Sequence, residues 1–202
     1  DAPTQEELGR AIELSRLGQS AWPRAQFPAE YAQIQQTLGG ALIKLEQDRA
    51  TNVAAALEAL EAGIDAANRE DQPITYAGLQ ATLAETLLAR KDGDQADHYR
   101  RAGTAAERAL EAKSEDPRTI GTAHHVLGQI SLARGDAPSL TTAIDHLRKA
   151  VVALPRTSKP SAHGETQLLL GIALASQAAS EGPATLSEAV EAYRAAVATI
   201  DE

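Results

Sequence analysis

The sequence predicts an all-α protein built from stacked helical hairpins, because a related unit recurs four times and its apolar residues have helical spacing. A proline begins each unit and a leucine stands ten residues after it, so successive units are offset by 45, 44 and 43 residues. Self-similarity at such a period is typical of solenoids and other repeat arrays. Apolar residues lie three or four positions apart, and no segment shows the sustained alternation of a strand. The pairs are Pro28 with Leu38, Pro73 with Leu83, Pro117 with Leu127, and Pro160 with Leu170.

The N-terminal segment, residues 4–18, predicts a single helix. Thr4 and Glu7 have the spacing of a capping box, and Gly18 is the type of residue that ends a helix. The sequence Ala-Ile-Glu at 11–13 is similar to Ala-Ile-Asp at 143–145, which lies in a later second helix. We therefore interpret this segment as the second helix of a half-repeat whose first helix is missing.

Four hairpin repeats follow, each with a proline suited to the first helical turn, a first helix, a polar break and a second helix. We place these repeats at 28–68, 73–113, 117–154 and 160–201. The helices of the first repeat are expected at 28–45 and 52–68, and a second capping box, Thr185 with Glu188, predicts the start of the last helix. The array then has about nine helices and, because stacked repeats fold as one unit, we expect a single domain over 1–202.

The repeated unit resembles a known family. Residues 31–39 read Tyr-Ala-Gln-Ile-Gln-Gln-Thr-Leu-Gly, residues 76–84 keep much of this order, and Leu-Gly recurs at 127–128 and 170–171. Second helices carry an aromatic residue before an alanine, as in Tyr193 and Ala196. These residues resemble the tetratricopeptide repeat family in its long-period variety, which is common in bacterial arrays. The resemblance runs from residue 28 to the C-terminus, although the third unit departs from it at Ile120, Gly121 and His124.

This resemblance implies a right-handed superhelical solenoid of antiparallel helix pairs. In the family, the first helix of each repeat lines a concave groove that binds peptides or extended protein segments. The residues with which some members clamp a C-terminal carboxylate are absent at the corresponding positions, so we do not expect carboxylate clamping. Because the implied groove positions include Glu85 and Glu165 and no lysine or arginine, we expect a neutral to basic partner segment. The implied groove residues are Gln33, Gln36, Gly40, Glu85, Thr122, His125, Gln129 and Glu165, and further groove positions hold Gly78, Ala81, Leu168 and Ile172.

Composition argues against several other classes of function. The 19 basic and 28 acidic residues leave a net charge of −9, which opposes nucleic-acid binding. There is no cysteine, and the longest apolar stretch, 168–175, is far below the ~20 residues that span a bilayer. The sequence contains no zinc-protease, serine-hydrolase or phosphate-loop motif. The adjacent His124 and His125 point about 100° apart on a helix, which disfavours a shared metal ion. We expect no catalytic residues, no metal site, no cofactor and no membrane insertion.

We interpret the chain as a non-catalytic scaffold for protein–protein interaction. The alternative is a structural assembly domain that self-associates, or continues a longer array, through its ends. The sequence has no methionine at position 1 and is read as a processed or excised segment. We expect a soluble protein, located in the cytoplasm or, if Asp1 is a mature end left by signal-peptide removal, in the periplasm or outside the cell.

Three expectations concern packing. Gly128 and Gly171 should allow close approach between helices, and the recurring Gln35, Gln80 and Gln167 should be structural amides. On the last helix, an apolar stripe should face inward and leave mostly alanine outside, which would favour weak homo-oligomerisation through this helix. The stripe comprises Val190, Tyr193, Val197 and Ile200.

Overall fold

The computed structural model describes residues 3–157 and 160–199. Within these residues it contains nine α-helices and no strand, which confirms the all-α prediction. No helix among them is long and apolar enough to cross a membrane. The helices are α1 (Gln5–Ala21), α2 (Pro28–Leu42), α3 (Arg49–Ala66), α4 (Pro73–Ala89), α5 (Gln95–Glu111), α6 (Pro117–Arg134), α7 (Ala137–Ala153), α8 (Pro160–Glu181) and α9 (Pro183–Val197).

The helix starts follow local chemistry. The four repeated prolines each occupy the first position of a helix, where the missing N–H has no intrahelical acceptor to lose. At α1 the predicted capping box is confirmed: Thr4 Oγ1 accepts from the Glu7 N–H, and Glu7 Oε2 accepts from the Thr4 N–H at 2.7 Å. Aspartate side chains accept a backbone N–H at the starts of α5, α6 and α7. These short-range features mark where those helices begin, whereas α3 starts after Asp48 with no side-chain cap.

Several predicted boundaries are wrong. The first helix does not end at Gly18 but continues to Ala21, because Gly18 serves close packing: a Cβ there would lie 3.1 Å from Ile34 Cδ1 on α2. Helix α2 ends at Leu42 rather than at residue 45, and α3 begins at Arg49 rather than at residue 52. The last helix begins before the supposed Thr185 capping box, at a proline whose fixed φ already suits the first turn.

The helices divide into two compact units, one up to Glu115 and one from Asp116. In the first unit, α1 packs on α2, the pairs α2–α3 and α4–α5 form hairpins, and α4 also contacts α2 and α3. Its N-terminal core includes Leu8 and Ile12 of α1 with Leu38 and Leu42 of α2. In this unit the two first helices, α2 and α4, therefore contact each other, and the second helices pack beside them.

In the second unit, α6–α7 and α8–α9 form hairpins, and α8 contacts both α6 and α7. Its core joins the three helices α7, α8 and α9, with Leu147, Leu170 and Leu174 among the buried side chains. Many of the remaining buried residues are alanines, such as Ala143 and Ala173, which are fully buried. Small side chains of this kind let the helix axes approach closely.

The glycine after the repeated leucine lies at the closest point of the hairpin. A Cβ at Gly128 would be 2.6 Å from Leu147 Cγ, and one at Gly171 would be 2.8 Å from the Tyr193 ring. These distances confirm that both are packing glycines. Gly39 has the same relation to Leu60, again at 2.6 Å. In the remaining hairpin, α4–α5, Ala84 occupies the position of the glycine. The second helix of this hairpin, α5, buries four alanines and His98. A slightly larger residue on α4 is therefore accompanied by small residues on α5.

The prediction for the inward face of α9 is wrong for its two valines, whereas Tyr193 packs against the core as expected. Val190 and Val197 are 41% and 58% exposed, whereas Ala189, Ala192 and Ala196 are buried. Tyr193 is half-buried, and Ile200 lies outside the described residues. The alanines face inward because α9 packs closely on α8, where Ala189 and Ala192 join the buried core. The larger Tyr193 ring meets α8 at Gly171, which has no side chain. The exposed surface of α9 accordingly carries Leu186, Val190 and Val197 beside charged residues such as Glu188 and Glu191, and it is not rich in alanine.

Candidate functional site

The predicted groove positions of the first unit lie on α2 and α4. Gln33 and Glu85 are exposed, and Gln36 and Gly40 are half-buried. The Gln36 amide lies over the backbone of Gly78 on α4, where any Cβ would clash with it. Gln36 therefore packs between the two first helices, and only part of its side chain faces solvent.

In the second unit the predicted positions lie on α6 and α8. Gln129 and Glu165 are exposed, while Thr122 and His125 are half-buried. Two further groove positions on α8, Leu168 and Ile172, are apolar and yet 47% and 39% exposed. They are four residues apart and so lie side by side on one face of the helix. This unit therefore presents an apolar pair beside polar residues.

His125 links the two first helices of the second unit. Its Nδ1 lies 2.9 Å from Oγ1 of Thr166, a fully buried residue of α8. Burial lowers the pKa of His125, because the charged imidazolium is disfavoured away from water. The side chain thus has a packing role as well as the predicted groove position, and it holds α6 against α8 in its neutral form.

His124 faces the other way and pairs with His146 of α7. Their Nδ1 atoms are 3.0 Å apart and the ring centroids 5.2 Å apart. One ring must donate and the other accept, so at least one of the two is neutral. Burial, then the neighbouring His146 and Lys149, lower the pKa of His124 from 6.5 to about 4.

This shift has a defined sign for stability. Because the folded-state pKa of His124 lies below its unfolded value, the unfolded chain binds more protons between pH 6.5 and about 4. The stabilisation is fully present above pH 6.5 and is lost as the pH falls toward 4.

Among the described residues no group of three or more histidine, aspartate or glutamate side chains could hold a metal ion.

The recurring glutamines make mainly structural contacts. Gln35 accepts a hydrogen bond from Gln19 of α1 at 3.1 Å, and Gln80 donates to the hydroxyl of Tyr76 at 3.1 Å. Gln167 lies 3.4 Å from Nε2 of His163, whose Nδ1 donates to the carbonyl of Leu154 at 2.8 Å. Gln35 and Gln80 are almost fully buried, which fits the structural interpretation.

Sequence reasoning missed a cavity on the second-helix side of each unit. In the first unit, residues of α3, α4 and α5 line a cavity of about 320 Å³. In the second unit, residues of α7, α8 and α9 line one of about 440 Å³. The sequence signal was the cluster of basic residues Arg100, Arg101 and Arg108 on one helix, which the sequence alone could not distinguish from an ordinary solvated face.

Comparison with known proteins gives the fold and nothing finer. No family model matches the chain, and no curated protein matches it significantly. Among solved structures, the crystal structure of MamA is similar, with a TM-score of 0.56 and 17% sequence identity. The match covers 97% of this chain and 90% of that one. The chain therefore has a TPR-like helical repeat fold.

Proposed function

We propose that this chain is a non-catalytic interaction scaffold of the long-period tetratricopeptide type, which holds an extended segment of a protein partner against its first helices. The observation that carries the proposal is the exposed pair Leu168 and Ile172 on α8, with Glu165 one turn before it on the same helix. An apolar centre with a polar margin is the usual composition of a protein interface.

The exposure of this pair has a functional rationale because α8 already has a complete buried face. Leu170 and Leu174 pack into the core of the second unit, so the core does not use the exposed parts of Leu168 and Ile172. Isolated apolar side chains on a surface are common, but two adjacent ones at positions that the family resemblance assigns to ligand contact favour a binding role.

The charge of the surface supports a neutral or basic partner segment. The predicted positions include Glu85 in the first unit and Glu165 in the second, and they include no lysine or arginine. On a chain of net charge −9, an acidic segment would be repelled from the predicted positions of either unit. The affinity should decrease modestly with salt, because exposed charges are screened.

A random-peptide library displayed on phage and selected on the native chain tests this proposal. We expect the selected peptides to contain apolar anchors with neutral or basic flanks and to lose binding to Leu168→Glu/Ile172→Glu. Val152→Glu is the matched control, since Val152 is 82% exposed on the second helix α7. If the selected peptides bind the double variant as well as the control, or if acidic sequences dominate the selection, the proposed surface is wrong.

A second candidate function is assembly through the C-terminal helix. Leu186, Val190 and Val197 are exposed along one face of α9, with no described helix packed over them. A second copy of the chain, or a further helix of a longer array, would bury this face. Light scattering over a concentration series should show weak self-association that Val190→Glu/Val197→Glu abolishes. A monomer at every concentration, or association that is unchanged in the double variant, would exclude self-association through this face.

A further inference from the structure

The cavity on the second-helix side of the first unit has an apolar interior and a basic rim. Leu83 and Leu87 of α4 and Ile64 of α3 contribute its apolar lining. Arg101 and Arg108, with Arg100 beside them, line it from α5. We call this cavity the arginine notch. Within this unit it lies on the other side of α4 from the predicted groove position Glu85, which is exposed about 200° around the helix from Leu83 and Leu87.

The second unit has a corresponding cavity, and comparing the two shows which features of the arginine notch come from helix stacking alone. It has the same apolar construction, with Leu170 and Leu174 of α8 in its lining. Its charged residues are a single arginine, Arg148, against Glu188 and Glu191. The arginine notch instead carries three arginines against two acidic residues. The apolar recess is therefore a consequence of stacking helical hairpins, whereas the basic rim belongs to the first unit alone.

The arginines are available to an incoming anion. Arg101 contacts Glu61 at 2.8 Å and Arg100 contacts Asp97, but these side chains are 37–70% exposed and such pairs exchange readily with solvent and ligands. Arg108 makes no ion pair with any residue that the structure describes. The guanidinium groups therefore retain hydrogen-bond donors for a bidentate carboxylate contact.

A buried acceptor in the lining also lacks a donor. Gln80 is 1% exposed, and its Oε1 atom has no hydrogen-bond partner among the described residues, while its Nε2 donates to Tyr76. Buried polar groups are nearly always paired, so an unpaired one indicates a missing partner such as a ligand N–H. A peptide backbone supplies this donor together with carboxylates and apolar side chains.

We infer that the arginine notch binds an acidic segment of a protein partner, which inserts one apolar side chain between α3 and α5 and pairs its carboxylates with Arg101 and Arg108. The positions of the arginines favour an extended segment over a small organic acid. Residues 100 to 108 extend about 12 Å along α5, which is longer than a single carboxylate needs. This site is independent of the proposed groove surface and prefers the opposite charge.

Fluorescence anisotropy with a labelled peptide, Glu-Asp-Leu-Phe-Asp-Glu, tests the inference on the whole chain. We expect saturable binding that weakens with salt and becomes roughly three- to tenfold weaker in Arg101→Gln/Arg108→Gln, the loss expected for two partly exposed ion pairs. Both substitutions are on the surface, and circular dichroism verifies the fold. Arg148→Gln, in the cavity of the second unit, is the matched control and should bind like the native chain.

Three comparison ligands make the outcome decisive. A peptide with Ser-Ser in place of Leu-Phe should bind much more weakly, and a peptide with lysine in place of every acidic residue should not bind. Phenylacetate should compete only weakly. No binding of the acidic peptide to the native chain, equal binding of the serine peptide, or phenylacetate that binds as tightly as the peptide would overturn the inference. Leu168→Glu/Ile172→Glu should leave this binding unchanged, so failure here and failure of the proposed function are distinguishable.

Discussion

Gly39 and Gly40 are neighbours in α2, but an alanine at the two positions would meet different surroundings. A Cβ at Gly39 would lie 2.6 Å from Leu60 Cγ and 2.7 Å from Leu60 Cδ2, whereas a Cβ at Gly40 would have no atom of a neighbouring group within 4 Å. The pair therefore provides one substitution at two adjacent sites of one helix. The main difference between the two sites is that Gly39 faces α3 closely and Gly40 does not.

The magnitudes follow from two opposing effects. Either substitution by alanine stabilises the helix by about 1 kcal/mol, because glycine is a poor helix former. Gly40→Ala should therefore raise the free energy of unfolding by about 0.5 to 1 kcal/mol. At Gly39 the new methyl group overpacks the hairpin at a cost of about 1 to 3 kcal/mol. Leu60 is fully buried and has no space to move into, so Gly39→Ala should be net destabilising, by up to about 2 kcal/mol.

Urea unfolding followed by far-UV circular dichroism measures the difference. Repeat arrays need not unfold in one step, so midpoints should be compared only where the slopes agree. The double variant Gly39→Ala/Leu60→Ala should show positive coupling, because the smaller partner removes the clash. If Gly39→Ala unfolds at the same urea concentration as Gly40→Ala or at a higher one, the close approach of α2 and α3 described here is wrong.

The other predictions concern packing, protonation and capping. Gly128→Leu and Gly171→Leu should each cost about 1 to 3 kcal/mol in thermal melts by overpacking the second unit, and native-like melting of both would contradict the helix register. In the native chain the free energy of unfolding should fall as the pH drops from 6.5 toward 4. His124→Gln should make this total fall in the free energy of unfolding smaller by about 1 kcal/mol, and an unchanged fall would show that the half-buried imidazole is not responsible. Thr4→Ala should lower stability by about 1 kcal/mol in urea titrations through loss of the capping box, with no change in peptide binding.

The candidate site was predictable only in part. The repeat pattern places Gln33, Glu85, Gln129 and Glu165 on first helices, and all four are exposed. The resemblance to the repeat family also assigned Gly78 and Ala81 to the groove, but these two residues are buried. Their burial depends on how closely α4 approaches α2, which the spacing within a single helix does not specify.

The features that the sequence determined by itself are those that depend on neighbours along the chain. The repeated proline marks the start of a helix through its fixed φ, and the Thr4–Glu7 capping box needs only three residues of separation. The leucine-glycine pairs predict where helices of a hairpin touch, because the residue at that point must be small. The predictions at these particular residues are correct, whereas the capping box expected at Thr185 and Glu188 does not start α9, which begins at Pro183.

Tertiary structure decided which of two plausible faces is buried and which distant side chains meet. On α9 both the valine stripe and the alanine stripe have helical spacing, and the packing of α9 on α8 buries the alanines. The His124–His146 pair and the arginine notch each join residues from different helices. Their contacts arise from helix separation and rotation, which are set by packing between helices. Sequence periodicity specifies the face of each helix only to within such alternatives.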